Sequence, residues 1–346
     1  MRDEDEYWNP IMETMRRSEL EELQWKKIKS IITYAYRNSP FYHEMFSKEG
    51  IKPEDIKTKE EFQNKIPLFR KDKVRKLRAE TGDPFAKMLT VPYEVLASFH
   101  TSTGTTGVPT FTALSENDIK AATEPLTRIG WMWKIRPAMR LLCAAMLDGF
   151  WHWWSVFLGH CVLTNLGVNS QLITYNFLIP LFGLPTSKTA LGKFRADWVL
   201  FTHASALAVL NECTRLGVEP KEIIPGVKYA CSAGEAASTH QRETFLEKFG
   251  TLDWFGGWGC SDPYTMTSDC YAHIGYHVFL DYWSLELVDP ETDELLPPGE
   301  RGEIVSTNLW QESLPYVRFG TEDFGELVDE SCECGRTHPM VRVFDR

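Results

Sequence analysis

The sequence has no apolar run near the roughly 20 residues that a membrane-spanning helix needs, so it is not read as a membrane protein. Its first residues, Met1-Arg-Asp-Glu-Asp-Glu6, are acidic where a secretory leader is basic and then apolar, and they predict a cytoplasmic chain. Positive charge is scarce. Against 48 Asp and Glu stand 37 Lys and Arg, and a net charge of −11 argues against a nucleic-acid-binding surface. The one dense basic stretch, Arg70-Lys-Asp-Lys-Val-Arg-Lys-Leu-Arg78, reads as a solvated helix face. Eight cysteines at irregular spacing in a chain this long are no disulfide framework. Cys143, Cys161, Cys213, Cys231 and Cys260 read as small buried hydrophobes. The sequence also lacks a Walker-type Gly-Lys-Ser/Thr ending, an internal repeat, a low-complexity linker and any serine–histidine or cysteine–histidine constellation.

What is present fits a sizeable core: 43% hydrophobic and 25% charged residues, with 12 Trp, some of which are expected to line a cavity. Residues 1–80 read as helical. Ser18-Glu-Leu-Glu21 has the form of a capping box, followed by Leu20, Leu23, Ile28, Ile31, Ile32 and Ala35 at helical spacing. That helix should stop before Asn38-Ser-Pro40, because proline keeps the residue before it out of helical geometry. From about residue 95, short buried strands alternate with helices. Arg140–Met146, Cys161–Thr164 and Trp198–Thr202 read as strands and Ala204–Leu216 as a helix, which predicts a mostly parallel sheet covered by helices. After residue 278 the pattern is β only, with a strand expected over Val278–Val288 and another over Gly302–Thr307. The expected divisions are a helical leader at 1–90, an α/β core at 91–277 and a β subdomain at 278–346.

Between strand-like Val95–Phe99 and a later helix lies Thr101-Ser-Thr-Gly-Thr-Thr-Gly-Val-Pro-Thr110. Gly104 and Gly107 let several backbone N–H groups face one anion, and the hydroxyls of Thr101, Ser102, Thr103, Thr105 and Thr106 add donors. Composition alone leaves an ordinary surface loop equally open. The order Thr-Ser-x-Gly-Thr-Thr-Gly-x-Pro resembles the phosphate loop of adenylate-forming enzymes. The resemblance is nearest to the phenylacetate-CoA ligases and runs along the chain through Tyr7-Trp-Asn-Pro10, Asn38-Ser-Pro-Phe-Tyr42, Ile66-Pro-Leu68, Asn117-Asp-Ile119, Ala233-Gly-Glu235, Trp258-Gly-Cys-Ser-Asp262, Leu314-Pro-Tyr-Val-Arg318 and Thr321-Glu-Asp323.

That resemblance implies the large amino-terminal α/β domain of an adenylate-forming enzyme, with parallel and mixed sheets layered with helices and a small β subdomain. It implies ATP-dependent activation of a carboxylic acid, aromatic or alicyclic, to an acyl-adenylate, then thioester formation with coenzyme A. Catalytic contacts fall to Thr106 and Asp262. The nucleotide falls to Thr101–Gly107, to Ala233, Gly234 and Glu235 at the adenine, to Trp258 as a stacking ring with Gly259 and Ser261, and to Asp323 at a strand end holding the ribose. Asp262 stands where relatives carry a magnesium-holding Glu, and Val108 where they commonly have Lys. Arg318 is implied as an ion-pair partner. Attack on the α-phosphorus brings two anions together, so magnesium and the loop donors must offset charge.

Phe150, Trp151, Trp153 and Trp154 replace a glycine-rich stretch of those ligases and are expected to shape the acid pocket, although a core aromatic cluster reads equally well. Cys270, His277, Cys332 and Cys334 form a set that satisfies tetrahedral zinc, with His273 and His338 as competing imidazoles. Such a structural clip is implied by a similar turn in some relatives. The relatives continue into a mobile lid that carries a lysine, whereas this sequence stops at Val343-Phe-Asp-Arg346. The expectation is therefore weak adenylation and little thioester formation. A homodimer is the default set by the relatives. Two other readings stay open: transfer of the acyl group to a carrier protein or amine, and a non-catalytic nucleotide-binding module.

Overall fold

Prolines and capping side chains set most helix boundaries in the computed structural model, which describes residues 6–101, 109–144, 164–172, 195–233 and 238–344. Helix α1 (Pro10–Glu13) opens on Asn9, whose Oδ1 accepts from the Met12 N–H at 3.2 Å. Helix α2 (Arg17–Asn38) buries Leu20, Ile28, Ile31, Ile32 and Ala35 as expected, while Leu23 is only half-buried. Its start differs from the reading of Ser18 as a cap. The helix begins two residues earlier, at Arg17, no side chain caps it, and Glu21 instead pairs with Arg17 at 2.9 Å. An i,i+4 ion pair competes for the Glu that a capping box would need. Helix α3 (Pro40–Lys48) follows directly with Pro40 at its first position. A true capping box appears at α4 (Lys59–Lys65), between Thr58 and Glu61. Helix α5 (Lys71–Thr81) then ends on left-handed Gly82.

Strands β1 (Leu96–Thr101) and β2 (Phe111–Ser115) form an antiparallel hairpin that brackets the Thr/Ser/Gly loop, and β2 runs straight into α6 (Glu116–Met132).

The next stretch carries the parallel strands β3 (Arg140–Cys143), β4 (Asn169–Leu172), β5 (Trp198–Thr202), β6 (Tyr229–Ala233) and β7 (Asp253–Cys260), paired in the order β4-β3-β5-β6-β7. Helix α7 (His203–Leu216) follows β5, opening on a Thr202–Ser205 capping box, and α8 (Thr239–Phe249) follows β6. Leu142, Val199, Phe201, Val209, Phe245 and Trp254 make the core beneath these helices, with Phe201 and Trp254 stacked at 5.7 Å. The strand expected at Cys161–Thr164 is not found where it can be tested. Residues 161–163 lie outside the described residues, and Thr164 is exposed in a helical turn. A four-residue apolar run does not separate strand from helix end. The strand that exists, β4, has the polar sequence Asn-Ser-Gln-Leu, which suits the edge position it occupies.

Short strands β8 (Thr265–Ser268) and β9 (Tyr276–His277) lead to β10 (Trp283–Val288), β11 (Arg301–Asn308), β12 (Phe319–Val328) and β13 (Met340–Phe344), the last four an antiparallel set in chain order. The strand expected from Val278 begins only at Trp283, because Val278 donates to Pro339 O outside the ladder and the chain turns at 279–283. Two compact units result, Met1–Trp8 with Leu126–Gly259 and Thr267–Tyr276, and Asn9–Pro125 with Cys260–Met266 and His277–Arg346. Among the described residues, no helix is long and apolar enough to cross a membrane.

Candidate functional site

Thr101 is exposed at the end of β1, paired with Phe111. Ser102, Thr103, Gly104, Thr105, Thr106, Gly107 and Val108 lie outside the described residues, so the structure speaks to the exit of this loop. That exit is anchored. Thr110 is buried, and its hydroxyl donates to Asp262 Oδ1. The other carboxylate oxygen lies 3.3 Å from Lys71 Nζ, with the Asp262 and Lys71 side chains only 2% and 10% exposed. Arg78 donates to Pro109 O and lays its guanidinium 4.6 Å over the Phe111 ring. The basic stretch 70–78 is therefore solvated on one side only, where Asp72, Lys73 and Lys76 are exposed. One side of α5 turns Lys71, Val74 and Arg78 inward, and Arg70 at its amino end binds Glu303 through Nε (3.1 and 2.9 Å) and Nη2 (2.7 Å). Charge composition does not reveal this, because the buried carboxylates that call for these cations lie far away in sequence.

A second anchor lies past β2. Asp118 is fully buried and accepts from Ser115 N (2.9 Å), Glu312 N (2.6 Å), Ser313 N (3.2 Å) and the Ser313 hydroxyl. Gln311 Nε2 donates to Ala113 O at 2.8 Å, and Asn308 Nδ2 to Pro263 O at 2.7 Å. The segment 308–313 thus ties the hairpin to the turn that carries Asp262. Multiple donors on one buried carboxylate fix its position.

Asp323 does not end a strand. It sits inside β12, where Glu303 faces Phe324 and Val305 faces Gly320, so residues 321–323 bulge out opposite Ile304. Thr321 Oγ1 closes the bulge by donating to Ile304 O at 2.8 Å and accepts from Asp323 N at 3.2 Å. A bulge re-aims a side chain that a regular strand would alternate. Burial drives the Cys260 thiol pKa up, and the charges of Asp262 and Asp323 add to the rise. Arg318 is buried against Glu286 at 3.1 Å and donates to Ile66 O at 2.6 Å. It is a structural cation.

In the other unit, Ala233 is buried at the end of β6, and Gly234 and Glu235 lie outside the described residues. Trp258 and Gly259 belong to β7. Trp258 is 2% exposed, and its carbonyl accepts from Thr267 Oγ1 at 3.0 Å. Ser261 returns to the unit of Asp262 and is half-buried. Phe150, Trp151, Trp153 and Trp154 lie outside the described residues.

One Asp262 oxygen takes the Thr110 hydroxyl and the other faces the Lys71 ammonium. What Asp262 does here is hold the loop exit to α5.

The Cys/His set is better formed. His277, Cys332 and Cys334 are buried and offer ligand atoms within 4.8 Å of one another, with Cys334 Sγ 3.4 Å from His277 Nε2. His277 Nδ1 lies 3.4 Å from His338 O. A carbonyl can only accept, so Nδ1 carries the proton and Nε2 keeps its lone pair toward the sulfurs, the second-sphere arrangement of a histidine metal ligand. The turn between the cysteines closes with Gly335 N on Cys332 O at 3.0 Å, and Gly335 has φ +79. Both competing imidazoles are engaged elsewhere. His338 uses Nδ1 for Leu280 N and Nε2 for Met12 O, each at 3.1 Å, and His273 is held by Asp269 (2.7 Å) and Asp253 (2.9 Å). Cys270 is buried in the first unit, seven residues before His277.

No known protein-family model matches the sequence. Individual relatives do. The chain is 29% identical over 335 residues to the phenylacetate-coenzyme A ligase of Thermus thermophilus, covering 96% of this chain and 71% of that protein. It is 27% identical over 345 residues to the enzyme of the same name from Aromatoleum evansii, covering 97% and 72%. Among solved structures, 2-hydroxyisobutyryl-CoA ligase in an open conformation with 2-HIB-AMP and CoA matches at a TM-score of 0.83 and 22% identity, over 99% of this chain and 78% of that one. That likeness establishes the fold.

Proposed function

We infer that this relative of the phenylacetate-CoA ligases, which has the adenylate-forming fold, activates a carboxylic acid with ATP and transfers it to coenzyme A. The observation that carries the reading is relationship to ligases of one name along 96% of the chain. The anchored exit of the Thr101–Thr110 loop, beside Asp262, supports it.

In this reading the acid's carboxylate attacks the α-phosphorus of ATP, pyrophosphate departs and an acyl-adenylate forms. The coenzyme A thiol then attacks the acyl carbon, and AMP leaves. The hydroxyls and amides of residues 101–107 hold the phosphates, with Thr106 nearest the transferred group. The Lys71–Asp262–Thr110 chain keeps the loop exit from shifting as charge moves, and such preorganisation lowers the barrier only if it precedes the reaction. Asp323 accepts from the ribose hydroxyls, Ala233, Gly234 and Glu235 border the adenine, and Trp258 with Gly259 and Ser261 backs it. The acid is proposed to be aromatic or alicyclic, received by Phe150, Trp151, Trp153 and Trp154.

Carboxylate-dependent exchange of labelled pyrophosphate into ATP, run over aromatic, alicyclic and short aliphatic acids, tests this reading. Exchange with one acid class and thioester formation on adding coenzyme A are expected. Absence of exchange with every acid points to a non-catalytic nucleotide-binding module, and exchange without thioester points to a carrier protein or amine as acceptor.

A structural zinc ion is part of the same proposal, with His277, Cys332 and Cys334 joined by Cys270 as fourth ligand. Three thiolates and an imidazole suit tetrahedral zinc, and a filled set leaves no position for substrate. Metal analysis should find about one zinc per chain, and a far lower content refutes the assignment.

A further inference from the structure

We propose that the turn Cys332–His338 is the seat of the amino-terminal segment Asn9–Met15, which stays docked only while the Cys/His group is metal-loaded. The inference rests on the zinc reading above and extends it from the ligands to what they hold in place.

Every contact of the seat is made by a residue within or next to the turn. Arg336 Nε donates to Glu13 Oε2 at 2.8 Å, and both side chains are fully buried. Glu13 Oε1 in turn accepts from Asn9 N at 2.8 Å, which closes α1 on itself. Thr337 N donates to Glu13 O at 3.1 Å and its hydroxyl to Met15 O at 2.5 Å. His338 Nε2 donates to Met12 O at 3.1 Å, while the His338 carbonyl receives Nδ1 of the ligand His277. Arg336, Thr337 and His338 therefore all face the segment, and His338 touches both the segment and a ligand.

The turn is irregular: residues 329–339 contain no regular secondary structure, and Gly335 N closes it on Cys332 O at 3.0 Å. A buried Arg–Glu pair is favourable only when its geometry is fixed, because both ions have left water. An irregular segment cannot fix it alone. Cross-linking Cys332 and Cys334 to His277 through a metal supplies that rigidity, and metal binding to such a site is coupled to local folding. By linkage the dependence is reciprocal, so loosening the segment must weaken metal retention by the same factor.

Hydrogen exchange by mass spectrometry on the full chain, before and after zinc removal by a chelator and with zinc content measured in each sample, tests the proposal. Residues 9–15 should exchange at least about tenfold faster after zinc loss, with faster tryptic cleavage after Arg16 and Arg17, while Ile28–Ala35 stay protected. Complete zinc removal with unchanged exchange at 9–15 overturns the coupling and leaves the zinc reading intact. Absence of zinc from the purified chain overturns both. If chelation melts the whole chain, Glu13→Gln decides. Glu13 is none of the four proposed ligands, yet this variant should hold zinc roughly five- to tenfold more weakly than the parent in equilibrium competition with a chromogenic chelator. Equal affinities overturn the proposal.

Discussion

Replacing Lys71 with Met removes the one ammonium 3.3 Å from a carboxylate that is 2% exposed. Methionine matches the lysine stem, so the change isolates the charge. Asp262 then keeps the Thr110 hydroxyl on one oxygen and has lost the cation facing the other. Removing one partner of a buried pair costs about 3–5 kcal/mol, most of it the stranded charge. With an unfolding entropy of about 2.1 cal/mol/K per residue, 346 residues give roughly 0.7 kcal/mol/K, so the melting temperature should fall by about 4–7 °C. The effect should change little between low and high salt, because screening acts weakly on buried charges. Adding Asp262→Asn to Lys71→Met should recover more than about 1 kcal/mol of the loss, the signature of a direct interaction. Thermal and urea denaturation of the two single variants and the double variant measure this cycle. A Lys71→Met protein that melts within about 1 °C of the parent, or strictly additive effects, refutes the account of α5 as the anchor of the loop exit.

Gly320→Ala should disturb the pairing of Arg70 with Glu303. A Cβ there would come within 2.6 Å of Glu303 Oε1 and 2.8 Å of Arg70 Cγ, and overpacking of this kind costs about 1–3 kcal/mol, read by urea denaturation. His273 sets a pH dependence. Burial opposes its charge, but hydrogen bonds to Asp253 and Asp269 outweigh it and push its pKa up to about 9. That value lies above the unfolded histidine's value of about 6.5. The stability His273 contributes is thus complete below about pH 6.5 and lost as pH rises through about 9. His273→Gln should flatten stability against pH in that window, and a curve parallel to the parent's would show that the ring carries no such charge.

Asp262 and Lys71 show how sequence and tertiary structure divide the account. Both residues are plain in the sequence, one inside a motif and one inside a basic run. Sequence neighbours suggest a magnesium ligand for one and a solvated charge for the other. Their meeting in the structure adds what neither neighbourhood contains, a buried carboxylate held between a hydroxyl and an ammonium. The missed cap at Ser18 has the same origin, with Arg17 taking Glu21. Competing local partners decide such positions, and periodicity does not register them.

By itself the sequence determined what depends on order and spacing: the α2 core face, the stop at Pro40, the parallel strands at Arg140 and Trp198, the relationship to CoA ligases, and the members of the Cys/His group. Hydrophobic period and motif order are properties of the chain, so they can be read along it. Only the tertiary structure decided which charges are buried together, that Asp323 rides a bulge, that His277 rather than His273 or His338 has a nitrogen turned to the cysteines, and that Arg336 seats Glu13. Those outcomes depend on desolvation and on partners up to 323 residues apart. A buried charge must find its counter-charge wherever the fold brings one.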